Sequence, residues 1–145
     1  MDYAQSFAIS SSGMAVEKAR LDVIALNLAN LNSTRGTDGA AYQPLRLVSG
    51  EKSGGLGFGA LMQGYSAPAG GAEIREIRAL AVPPRLVYEP AHPDADEKGF
   101  VAYPGVNQVS EMVNLMAAVR AYEANVVAMS AARSMALKTL EFGAK

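Results

Sequence analysis

The chain has 145 residues, 50% of them apolar and 19% charged, which is the size of one ordinary domain and too hydrophobic for a disordered chain. Lys and Arg number 13 and Asp and Glu 14, so the net charge of −1 excludes charge-driven binding to nucleic acid or to an anionic membrane surface. There is no Cys and a single His, which excludes disulfides, thiolate metal sites, Cys nucleophiles and His-pair acid/base chemistry.

The opening residues do not read as a secretory signal. Asp2 precedes any basic residue, and the first basic residue is Lys18. A chain with this start is expected to stay in the cytoplasm or to leave by a route that reads no cleavable signal. Residues 1–34 then show a 3-4 apolar spacing. Phe7, Met14, Leu21, Ile24, Leu28 and Leu31 fall on one stripe, interrupted by Ser10 and Glu17. That spacing predicts a helix with a coiled-coil seam, ending near Asn30-Leu31-Asn32-Ser33, where Asn tolerates a left-handed C-cap.

Residues 35–106 are of another kind. Of the 14 glycines, 12 lie between Gly36 and Gly105, and all 7 prolines lie between Pro44 and Pro104. No helix tolerates that punctuation. Short strands are expected at Pro44–Ser49, Glu73–Leu80 and Arg85–Tyr88. The uncharged stretch from Ser53 to Ala72 is long enough to span a membrane, but its glycines and Pro68 read as a flexible loop. No direct membrane insertion is expected.

Residues 107–145 return to helix, capped by Asn107 or Ser110 and closed by Gly143. One stripe holds Met112, Leu115, Val119, Tyr122, Val126, Met129, Ala136 and Leu140, with Arg133 the exception. It is expected to pair with the first helix. A second stripe, Val113, Ala117, Ala121, Ala124, Ala128, Ala131 and Met135, is built mostly from small residues. A helix apolar on two sides needs two partners. One helix of its own chain covers one stripe, so the Ala stripe is expected at a subunit interface. The alternative is a compact bundle in which the middle segment covers it. The fold class expected is mainly α with a small β-rich insert: an antiparallel coiled-coil hairpin of the terminal helices around a Gly/Pro-rich strand-and-loop segment.

No enzymatic constellation emerges. Asp94-Ala95-Asp96-Glu97-Lys98-Gly99 begins like a calcium loop, but Lys98 stands where an acceptor oxygen is needed and Gly105 where a bidentate Glu is needed. His92 lies alone in a Pro-rich loop. Ser10-Ser11-Ser12 lacks a nucleophile elbow, and Gly54-Gly55-Leu56-Gly57-Phe58-Gly59 lacks the phosphate-loop pattern and its Lys. Asn32-Ser33-Thr34 fits a glycosylation sequon without a secretory context. No cofactor and no metal are expected.

Three segments carry a resemblance. The run Arg20–Ser33, with Asn27, Asn30 and Asn32, resembles the N-terminal signature of the flagellar rod and hook axial proteins. Glu111–Met116 followed by Arg120-Ala121-Tyr122-Glu123-Ala124-Asn125-Val126 resembles their C-terminal signature. Leu86–Asp96, with His92, Pro93, Asp94 and Asp96, followed by Gly99-Phe100-Val101, is similar to the proximal rod members of that family. Leu31, Ser33, Ala91 and Gly105 depart from the family's usual residues without removing a charge or breaking a heptad. The resemblance implies a non-enzymatic structural subunit of the basal-body proximal rod. It also implies export through the flagellar type III apparatus without a cleavable signal, to a rod in the periplasm. The partners implied are other rod proteins, the rod–ring adaptor, the inner-membrane ring protein, the export apparatus and copies of the chain itself. A sister proximal rod subunit and a small soluble helical binding domain are the alternative readings.

Overall fold

The computed structural model describes residues 3–34, 41–52 and 70–143. Most of the Gly-rich stretch read as a flexible loop, residues 53–69, lies outside the described residues.

Helix α1 spans Tyr3–Ala29 and helix α2 spans Gln108–Gly143. At 1.5 Å per residue they are roughly 40 and 54 Å long. Between them lie β1 (Leu45–Glu51), β2 (Ala72–Ala79), β3 (Arg85–Tyr88) and β4 (Phe100–Tyr103). The strands pair as two separate antiparallel ribbons, β1 with β2 and β3 with β4. A bulge falls between Val48 and Ser49: Val48 opposes Glu76 and Ser49 opposes Ile74, leaving Arg75 as the extra residue.

The helices run antiparallel, because contacts descend α2 as they ascend α1. Tyr3 reaches Thr139, Gly13 lies against Asn125, and Asn27 bonds Glu111. The β1–β2 ribbon lies on α1. Val16 and Val23 of α1 and Leu47 of β1 make a small core, with Ala19, Leu45 and Ala72 packed around it. Ser12 ties the start of β2 to α1: its Oγ donates to the Ile9 carbonyl at 2.7 Å and accepts from Ala72 N at 3.0 Å. Gly71, at φ +79°, is what lets the chain pass there, since a Cβ on it would strike that hydroxyl.

Several expectations need correction. The helix ends do not use left-handed caps: among the described residues no non-Gly residue has positive φ, and Gly143 is helical without one. Instead the Asn30 side chain folds back to donate to the Leu26 carbonyl at 2.9 Å, and Leu31 N tightens the last turn onto Leu28 O. That supplies orphan carbonyls with donors directly, so no αL residue is needed. At the other helix start, Asn107 is the cap, its Oδ1 accepting from Ser110 N at 3.1 Å. Strand β4 had no counterpart among the expected strands. It is only four residues long and stops at Pro104, yet its Val101 is fully buried.

Candidate assembly interface

The residues of α2 that are not exposed are Glu111, Leu115, Ala118, Val119, Ala121, Asn125, Met129, Ala132 and Ala136. This face meets α1. It shares Leu115, Val119, Met129 and Ala136 with the stripe expected from spacing, but takes Glu111, Ala118, Asn125 and Ala132 in place of Met112, Tyr122, Val126 and Arg133. The difference is a rotation of roughly 50° about the helix axis, half of the 100° between successive residues. Small and polar groups explain it. Ser10, Gly13, Ala118 and Ala132 let the backbones approach closely, and Asn125 fits over Gly13, where a Cβ would come within 2.7 Å of its Oδ1. Apolar periodicity counts bulk, so it points away from a seam built on small residues.

The stripe residues are therefore placed as follows. In α1, Ile24 is buried and Met14, Leu21 and Leu28 are half-buried. In α2, Leu115, Val119 and Met129 are half-buried, while Met112, Tyr122 and Val126 are exposed in the single chain. Of the small stripe, Ala121 is half-buried, and Ala117, Ala124, Ala128 and Ala131 are exposed. The outer surface of α2 is strongly apolar: Val109 is 72% exposed, Val127 67% and Leu140 71%.

Where α1, β1 and α2 converge, one amide makes four hydrogen bonds. Asn27 is 2% exposed. Its Nδ2 donates to the Leu45 carbonyl at 2.9 Å and to Glu111 Oε2 at 3.1 Å. Its Oδ1 accepts from Leu45 N at 2.8 Å and from the Tyr42 hydroxyl at 2.9 Å. The full donor and acceptor capacity of the side chain that can be met by neighbours is met. Burial, and then the charge of Glu111, hold the Tyr42 phenol above its ordinary value. Nearby, Glu17 bonds Arg20 through both carboxylate oxygens at 2.7 and 2.9 Å, and Arg20 extends to Ser49 Oγ.

The remaining motif residues build the turn between β3 and β4. Asp96 Oδ1 accepts from Lys98 N and Phe100 N at 2.9 and 2.8 Å, and Gly99 adopts φ +81° beneath the ring of Tyr88. His92 Nδ1 accepts from Asp94 N at 3.1 Å. Pro93 is exposed at the tip. Asp94 Oδ2 accepts from Thr34 Oγ1 at 2.7 Å, which links the turn to the residues just past α1. Asn32 is exposed. Glu89 accepts from the Tyr103 hydroxyl at 3.0 Å, and this bond is the main reason that phenol is also held above its ordinary value. The acidic turn thus uses Asp96 Oδ1 on its own backbone and Asp94 Oδ2 on Thr34. Among the described residues no group of three or more His, Cys, Asp and Glu is placed to hold a metal ion. The Asn27 hub and the Thr34–Asp94 link both join residues far apart in sequence, and no local pattern pairs Asn27 with Glu111 or Asp94 with Thr34.

Two long antiparallel helices with a small-residue seam, an apolar outer surface and a short β insert define a subunit built for assembly. Residues 7–36 match the family model described as flagella basal body rod protein, and residues 97–141 match that of the flagellar basal body rod FlgEFG protein C-terminal region. The chain is 39% identical over 140 residues to the flagellar basal-body rod protein FlgC of Salmonella typhimurium, covering 94% of this chain and 95% of that one. It is 36% identical over 143 residues to the FlgC of Yersinia enterocolitica, with 99% of both chains covered. To the FlgC of Bacillus subtilis it is 34% identical over 144 residues, 95% of this chain and 96% of that one. The chain belongs to the FlgC family of flagellar basal-body rod proteins. It is a structural subunit of the rod and not an enzyme.

Proposed function

We propose that the chain is a subunit of the proximal rod, the part of the flagellar drive shaft beside the inner-membrane ring. The observation that carries this reading is the surface of α2. Of its 36 residues only Ala118 and Ala132 are buried in the single chain. An exposed apolar surface of that length marks a protein–protein contact. Residues 1–34 and 107–145 form the axial coiled-coil hairpin, and residues 35–106 form the insert. Ala117, Ala121, Ala124, Ala128 and Ala131 face a neighbouring subunit. Met112, Tyr122 and Val126, left open by α1, add to that contact. Close-packed helices resist compression and twisting, which suits a shaft that transmits torque.

Its neighbours on this reading are other rod proteins, further copies of itself, the rod–ring adaptor and the inner-membrane ring protein. Delivery to the periplasm runs through the flagellar type III export apparatus. Among the described residues no helix is long and apolar enough to cross a membrane. The test is genetic and structural. Cells lacking the chain should make no rod beyond the inner-membrane ring and should not swim, and expression of the chain should restore both. Density for α1 and α2 in a map of the restored basal body should lie next to the ring. Normal rods in the deleted strain would refute the proposal.

A further inference from the structure

A groove of about 670 Å³ opens between α1, β1 and α2. Ala117 and Ala121 line it on the α2 side, Ile24, Leu45 and Leu80 make apolar walls, and Arg46 stands at its rim. The small floor leaves room for bulky side chains. The bulky side chains of the same helix stand elsewhere. Met112 and Met116 are 49% and 59% exposed, and with Val119 and Glu123 they follow a 4-3-4 spacing that makes one ridge. Met112 to Ala117, and Met116 to Ala121, are five residues apart, which turns the ridge roughly 140° away from the groove about the helix axis.

Three charged side chains line the groove: Arg20, which is paired with Glu17; Glu111, which accepts from Asn27; and Arg46. Arg46 is exposed and sits directly opposite Arg78 across the β1–β2 ladder. Like charges so placed are destabilising unless an anion approaches them. Arg78 has only a loose 3.8 Å pair with the exposed Glu76. Arg46 has no ion pair among the described residues. On the ridge, Glu123 makes only a loose 3.6 Å pair with the exposed Arg120.

We infer that the groove of one subunit receives the Met112–Met116 ridge of a second copy, with the second copy's Glu123 set against Arg46. Ridge and groove are different surfaces, so the contact is head-to-tail. A two-fold contact would require one patch to match itself, whereas a head-to-tail contact propagates from copy to copy. The inference rests on the rod-subunit reading and adds to it which surfaces meet.

The chain contains no Cys, so introduced thiols are unique. Met112→Cys and Ala117→Cys lie five residues apart on one helix, with roughly 8–9 Å between Cα atoms, beyond the about 7 Å that a disulfide spans within a chain. Mild oxidation of basal bodies carrying both substitutions should give a ladder of dimers, trimers and higher species. Each single variant should stay monomeric. Dimers from a single variant would overturn the head-to-tail contact. A missing ladder in basal bodies that contain the double variant would overturn the docking and leave the rod reading standing. Absence of the parent chain from basal bodies would overturn the rod reading itself. If the double-cysteine chain does not assemble, the charge pair decides. Arg46→Glu and Glu123→Arg should each reduce swimming-halo area about two-fold or more, and the combination should restore it. A combination no better than the poorer single variant would overturn the docking.

Discussion

Asn27 and Glu111, 84 residues apart, meet at 3.1 Å where the last turn of α1 passes the first turn of α2. The same amide holds both backbone groups of Leu45, acting as a strand partner for the first residue of β1. One side chain therefore fixes the stagger of the two helices and the position of the ribbon upon them. Asn27→Ala removes the amide and leaves Leu45 N, Leu45 O, Glu111 and Tyr42 without that partner. An unsatisfied buried group costs about 1–3 kcal/mol, and water reaches some of these, so a loss of about 2–4 kcal/mol is expected. Urea unfolding of the purified chain, followed by circular dichroism, measures it. Glu111→Gln keeps an acceptor for Asn27 and should cost much less.

Gly13 carries a second prediction, in which two effects of similar size oppose. Alanine in place of helical glycine gains about 1 kcal/mol from propensity. Here the new Cβ meets the Asn125 side chain at 2.7–3.1 Å, and overpacking costs about 1–3 kcal/mol. Gly13→Ala should therefore be neutral to destabilising. On an Asn125→Ala background the clash is gone and the same change should stabilise. A double-mutant cycle by urea unfolding reads the difference. Equal effects of Gly13→Ala on both backgrounds would show that the helices do not cross at this pair.

The hydroxyl of Tyr42 makes the hub sensitive to high pH. Burial and the Glu111 charge raise its pKa above the ordinary value of 10.0, because both penalise the phenolate. The neutral phenol is thus favoured by folding. Its contribution is complete below about pH 10 and is lost as pH rises through the folded-state pKa. Tyr42→Phe should flatten the fall in stability above pH 10, and Glu111→Gln should lower the onset of Tyr42 ionisation. Difference ultraviolet absorbance of tyrosinate against pH, with and without Tyr42, is the measurement. An unchanged alkaline profile in Tyr42→Phe would contradict the assignment.

These relationships mark what could be read from the chain and what could not. The terminal helices follow from apolar spacing, and the Pro and Gly distribution marks off the insert. Strands β1, β2 and β3 follow from β-rich runs between breakers. The face of α2 that meets α1 was not legible in the same way. Spacing selects the bulkiest apolar line, including the exposed Met112, Tyr122 and Val126, whereas the packed line carries Glu111, Ala118, Asn125 and Ala132. Small residues bury little area each but permit the closest approach, and periodicity gives them no extra weight. The hub was half visible. Asn27 and Asn30 stood out in a motif, but only the fold brings Tyr42, Leu45 and Glu111 to Asn27. Asp94 likewise stood out in its turn, while its partner Thr34 lies 60 residues away.

Leu28→Asp and Val126→Asp should fail for different reasons. Leu28 is half-buried near the hub, so a carboxylate there is partly desolvated. The purified chain should lose helix signal and resist urea less. Val126 is 43% exposed, so an Asp there leaves the single chain folded. Both variants should abolish swimming, the first through the fold and the second through the contact with a neighbour. Motile cells carrying Val126→Asp would remove that residue from the interface. A folded, motile Leu28→Asp would remove the seam from Leu28.

The small stripe gives the sharpest separation of fold from assembly. Ala124 and Ala128 are exposed in the single chain. Leucine there can extend into solvent in the monomer, and its helix propensity is close to that of alanine, so stability should change by less than about 0.5 kcal/mol. In the rod each added side chain would stand between helices of adjacent subunits. Overpacking costs about 1–3 kcal/mol per site, and the clash recurs at every contact between copies. Ala124→Leu and Ala128→Leu should therefore fold and be exported like the parent yet stop the rod before completion, with no hook and no swimming. Export is read by assaying the chain outside the cytoplasm, and completion by electron microscopy of isolated basal bodies. Complete rods containing either leucine variant would place the small stripe away from the subunit contact, and the outer surface of α2 would then need a different partner.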